Sequence, residues 1–148
     1  AAAGRGRAAG SGRPYVRGSA SGGGRMQEGG LALMQLAKVN AAVGRMHSAG
    51  VPFFSVLTDP TFGGTAASLA LLADINIAEP GAAIGFTGPR VIKQASGQGL
   101  PEGFQTAEFL RDHGMLDVVS HRRDLKSSVG GLLRHMSGQP AATSWVTS

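Results

Sequence analysis

At 148 residues the chain is the size of one domain with one core. It has no cysteine, which excludes disulfides and thiolate metal sites, and no apolar run of about 18 residues, so no membrane span is expected. The net charge of +5 sits at one end. Arg5, Arg7, Arg13, Arg17 and Arg25 stand in residues 1–25 without an acid, and the rest of the chain balances nine basic against nine acidic residues. His47, His113, His121 and His135 have no metal-ligand spacing, and no metal site is expected.

Residues 1–18 are rich in Gly, Ala, Arg and Ser without a period. They are expected to form a disordered basic leader or an altered start. Such an acid-free stretch is also the composition of a transit peptide or a weak nucleic-acid-binding tail. A glycine-rich loop over 21–30 leads into a helix over 31–49, with apolar residues at Leu33, Leu36, Ala37, Val43 and Met46 and Gly50 as its stop. Residues 51–58 read as a buried strand, 59–64 as a turn and 65–73 as a buried helix of small residues. Short strands over 75–78 and 82–86 flank the turn Glu79-Pro80-Gly81, and Pro89 opens a helix. A helix over 102–113 closed by Gly114, a strand over 115–120 and a helix over 122–136 follow, with 137–148 as a flexible tail. Strands alternating with helices argue an α/β domain.

Two glycine pairs carry the chemical interest. Gly63-Gly64 lies between a strand and a helix. Without Cβ atoms the backbone can approach a ligand, and the N–H groups of a first helical turn are free to meet a developing oxyanion. A tight turn with close packing has the same residues. Gly22-Gly23 is equally two-sided. No phosphate-binding GxxxxGK[ST] pattern is present, nor a paired acid and base.

Longer strings are more specific. SGGGRMQEG (Ser21–Gly29), LTDPTFGGTAAS (Leu57–Ser68), DINIAEPGAAIGFTGPRVI (Asp74–Ile92), LPEGFQ (Leu100–Gln105) and EFLRDHGMLDVV (Glu108–Val119) occur in this order. Together they resemble the carboxyltransferase beta-subunit family of acetyl-CoA carboxylase, a branch of the crotonase/ClpP superfamily, over residues 19–136. The resemblance implies a crotonase-type spiral of ββα units. It begins after the family's zinc ribbon and first strands, so a partial domain with a disordered N-terminal tail and no zinc site is expected. In that family carboxybiotin, delivered on a carrier protein, releases carbon dioxide and its nitrogen takes the α-proton of acetyl-CoA. The enolate attacks carbon dioxide and malonyl-CoA forms, feeding fatty acid synthesis.

By the same resemblance Gly63 and Gly64 match the backbone oxyanion hole. Gly22 and Gly23 match the loop near the thioester, and Arg25 and Arg90 are candidates for steering phosphates. Implied partners are the carboxyltransferase alpha subunit, the biotin carboxyl carrier protein and biotin carboxylase, in bacterial cytoplasm or plastid stroma, with no nucleic acid.

Three rivals compete. A Clp-type peptidase would use Ser68, yet residues 75–92 hold no histidine to activate it. A crotonase-type hydratase or isomerase would need carboxylates such as Asp59 and Glu79 as acid and base. A carboxyltransferase for propionyl-CoA would run the same reaction.

Overall fold

The computed structural model describes residues 2–23, 30–97 and 99–136. In chain order the elements are α1 (Ala2–Ser11), β1 (Tyr15–Ser21), α2 (Gly30–Ser48), β2 (Phe53–Phe62), a π-helical turn (Ala66–Ala70), β3 (Ile75–Ala78), β4 (Ile84–Gly85), α3 (Pro89–Ser96), α4 (Ala107–Asp112), β5 (Val118–Val119), a 3-10 turn (Arg122–Asp124) and α5 (Leu125–Met136).

The strands form one parallel sheet in the order β1-β2-β3-β5. β2 is its spine. One edge of β2 carries β1; the other carries β3 along Phe54–Leu57 and then β4 along Thr61–Phe62. Two apolar clusters sit along β2. Phe53, Val43, Met46, Val51 and Ala8 close its start, and Leu57, Ile84, Ala82, Leu110 and Leu116 close its second half. Parallel pairing buried on both faces accounts for the near-continuous apolar run at the start of β2.

The N-terminal segment departs from expectation. Residues 2–11 are helical and 15–21 form a strand, where a leader without structure was expected. Alanine is the best helix former, and Ala8 and Arg5 are buried against Tyr15 and Phe53. β1 holds few apolar residues because it pairs with β2 alone among the described strands and turns only alternate residues inward. The expected tail 137–148 lies outside the described residues.

A second departure lies at residues 59–62. The expected turn there is strand, and β2 runs on to Phe62 through a cis Asp59–Pro60 peptide. Asp59 Oδ1 accepts from Ala83 N at 2.9 Å and Thr61 N donates to Ala83 O at 2.8 Å, so β4 captures this stretch. The helix expected over 65–73 is shorter, a π-helical turn over Ala66–Ala70.

Candidate active site

Both glycine pairs leave the C-terminal ends of neighbouring parallel strands, where open α/β sheets bind their ligands. Ser21, the last residue of β1, is level with Thr61 of β2. Gly22 and Gly23 follow the first, Gly63 and Gly64 the second. The sheet therefore brings the two pairs to one rim. Arg25 lies outside the described residues. Arg90 is exposed on the first turn of α3.

The two members of the second pair do different jobs. Gly63 has φ 70°, a left-handed conformation that favours glycine. Its N–H donates to the carbonyls of Gly85 (3.1 Å) and Phe86 (3.0 Å), and its carbonyl accepts from Ala67 N at 3.2 Å. Gly63 is thus a pinned corner. Gly64 begins the helical turn, and a Cβ built on it would meet Leu36 Cδ1 at 4.0 Å and, among the described residues, nothing nearer. Its bare backbone faces space. The same holds at Gly22 and Gly23, where an added Cβ meets none of the described residues within 4 Å, and Gly23 N is turned back onto Ser21 Oγ at 3.1 Å. Backbone without a Cβ at these positions is open to close approach by a ligand on the side the described residues leave free.

The rival chemistries lose their residues to structural bonds. Ser68 is buried and its hydroxyl donates back to the Gly64 carbonyl, as small hydroxyl residues do inside helices. Asp59 is bonded to Ala83 N. Glu79 is gripped by Arg122, whose Nε and Nη2 lie 2.5 and 2.9 Å from its oxygens, and this pairing holds its carboxyl below the usual range. No group of three or more His, Asp or Glu able to hold a metal occurs among the described residues.

Beside the rim, an open pocket of about 560 Å³ is lined by Phe86, Thr87, Val91, Ile92, Ser96 and Gln105. Gln105 is one that residue type did not reveal. It is buried, non-glycine and left-handed at φ 66°, and its Nε2 donates to Thr87 O at 2.8 Å. Nothing about a glutamine announces such a backbone.

The carboxyl transferase domain family model matches residues 3–121 and reaches into the segment expected to be a leader. The chain belongs to the carboxyl transferase domain family. Over 130 residues it is 56% identical to the acetyl-coenzyme A carboxylase carboxyl transferase subunit beta of Methylobacterium sp. (strain 4-46), covering 88% of this chain and 43% of that relative. The chain thus spans less than half the length of this relative. Among solved structures, transcarboxylase 12S with methylmalonyl-coenzyme A and methylmalonic acid bound superposes with TM-score 0.75 at 28% identity, over 88% of this chain and 26% of the other. The malonate decarboxylase hetero-dimer of Pseudomonas gives TM-score 0.69 at 25% identity, over 95% and 63%. The α/β fold of crotonase type expected from the sequence is borne out by these neighbours. Among the described residues, no helix of this family member is long and apolar enough to cross a membrane.

Proposed function

We propose that the chain supplies the beta-subunit half-site of an acetyl-CoA carboxylase carboxyltransferase. The observation that carries this reading is the pair of bare glycine backbones on one rim, Gly22-Gly23 and Gly64, with Gly63 pinned beneath. Biotin carboxylated on a carrier protein would supply the carboxyl group and a nitrogen to take the α-proton of acetyl-CoA. The chain's own part is placement. The Gly64 N–H donates to the thioester oxygen as negative charge develops there, and the Gly22-Gly23 loop lets the acyl group lie against backbone. One such donor is worth about 100–1000-fold in rate. Arg90, and Arg25 where it meets the coenzyme, would hold phosphates.

The 56% identity to a carboxyl transferase beta subunit supports an alpha subunit, the biotin carboxyl carrier protein and biotin carboxylase as partners, and bacterial cytoplasm as the compartment. A second reading, transfer to propionyl-CoA, draws on the methylmalonyl-coenzyme A bound by transcarboxylase 12S.

The test is decarboxylation of malonyl-CoA, with biotin present and an alpha subunit of the family added, against methylmalonyl-CoA under the same conditions. Alpha-dependent loss of malonyl-CoA that collapses in Gly64→Val supports the acetyl-CoA reading. A preference for methylmalonyl-CoA favours the second. No turnover of either by the folded mixture sinks both.

A further inference from the structure

We propose that Gln105 is the positioning residue of the oxyanion segment, a role that rests on the carboxyltransferase reading. Gln105 grips residues 84–87 at both ends. Its backbone carbonyl accepts from Ile84 N at 2.8 Å, and its side-chain Nε2 donates to Thr87 O at 2.8 Å. Between those two points stand the carbonyls of Gly85 and Phe86, which together receive the Gly63 N–H at 3.1 and 3.0 Å. Gln105 therefore braces, from the side away from β2, the segment that holds Gly63, and Gly63 sets the direction in which the next amide, that of Gly64, leaves the strand.

Two features mark this brace as more than filling. A Cβ on Gly85 would run into Nε2 of Gln105 and lie 2.8 Å from its Cδ, so the amide occupies the place of a side chain on β4. The residue holding it is also left-handed, a conformation that side chains other than Gly and Asn seldom adopt unless the surroundings impose it. With glycine at 105 a filler could instead be a methyl at position 85, where Phe62 Cε1 at 3.1 Å is the close contact that remains.

That exchange is the experiment. Three variants of the chain are combined with the alpha subunit: Gln105→Gly, which suits φ 66° but removes the amide; Gly85→Ala, which drives the amide aside; and the double variant, in which the new methyl enters the vacated space. The expected result is a fall of about 100-fold in kcat for malonyl-CoA decarboxylation in all three, with KM little changed. The thermal midpoint of the double variant should recover above that of Gly85→Ala. Faster hydrogen exchange at the Gly63 amide is expected wherever the Gln105 amide is lost. If kcat returns with stability in the double variant, Gln105 only fills space and the proposal is overturned. Unchanged Gly63 exchange in the double variant overturns it as well, whatever the activity. If the wild-type mixture turns over no substrate, the carboxyltransferase reading fails and the catalytic side of the proposal with it, while Gly63 protection that depends on Gln105 still shows the brace itself.

Discussion

The Thr61 hydroxyl donates to the Ser19 carbonyl at 3.0 Å across the β1–β2 pair, at a point where the two strands have lost step. Ser19 is level with Leu57, yet Ser21 is level with Thr61, so β2 spends two more residues than β1 over the same span. Thr58 and Thr61 both direct their hydroxyls at Ser19 O, closing the bulge from each side. At about 3.3 Å per strand residue, a strand without the bulge would carry Gly63 about 6.6 Å beyond the Gly22-Gly23 loop. Thr61→Val should cost about 1 kcal/mol in urea unfolding, because a fully buried hydroxyl whose one hydrogen is shared between two carbonyls is lost. Thr61→Ser should retain most of it.

Gly63 and Gly64 should separate stability from activity. Gly63→Ala places a side chain at φ 70° and should cost about 1–2 kcal/mol in the same unfolding experiment. Among the described residues the methyl of Gly64→Ala meets Leu36 alone, at 4.0 Å, so its unfolding midpoint should match wild type, while the methyl standing where the thioester lies should lower decarboxylation at least tenfold. Equal stability losses in both would contradict the division of labour between them.

The Glu79–Arg122 pair predicts an acid-dependent term. Hydrogen bonding to Arg122 lowers the folded pKa of Glu79 against its ordinary value. A depressed carboxylate pKa stabilises the fold above the unfolded value, about 4.3, and that stabilisation is lost as pH falls through the folded pKa. Arg122→Gln should therefore lower Tm slightly at pH 7, and the gap to wild type should close as pH drops below about 4. A gap that stays constant with pH would assign the effect to something other than the ion pair.

Arg5 is fully buried with its guanidinium 4.6 Å from the Phe53 ring and 5.5 Å from that of Tyr15. Its Nη2 reaches Leu69 O at 3.5 Å, while Nε and Nη1 have no hydrogen-bond partner. Burial, and then the neighbouring Arg17, lower its pKa. Replacing an uncompensated buried charge by an apolar residue of similar length often stabilises, so Arg5→Met should raise unfolding stability by about 1 kcal/mol. A loss instead would show that the ring contacts outweigh desolvation.

The order of elements after residue 50 could be read from the sequence because period, turn residues and helix stops agree there. Ile75–Ala78 is a strand, Pro89 opens a helix, and Gly50 and Gly114 close helices with φ 64° and 75°. The glycine pairs were visible because glycine is informative at a strand end. What escaped was set by tertiary pairing. Asp-Pro followed by Gly-Gly has the chemistry of a turn, yet the hydrogen bonds of Ala83 hold residues 59–62 extended. Gln105 escaped since its backbone angle and its bond to Thr87 depend on a neighbour 18 residues away.

Among the described residues, the strand that composition disguised is at the sheet's edge. β1 offers one row of backbone groups to β2, and among the described residues no strand takes the other row. An open row of that kind templates growth by further copies unless the sequence discourages it. Pro14 stands just ahead of the strand, Gly18 lies within it without a side chain, and Arg17 turns a charge toward the partly buried face. Val at position 17 would suit a strand better by local measure, and would remove the charge that an open row of backbone groups sets against pairing with a copy.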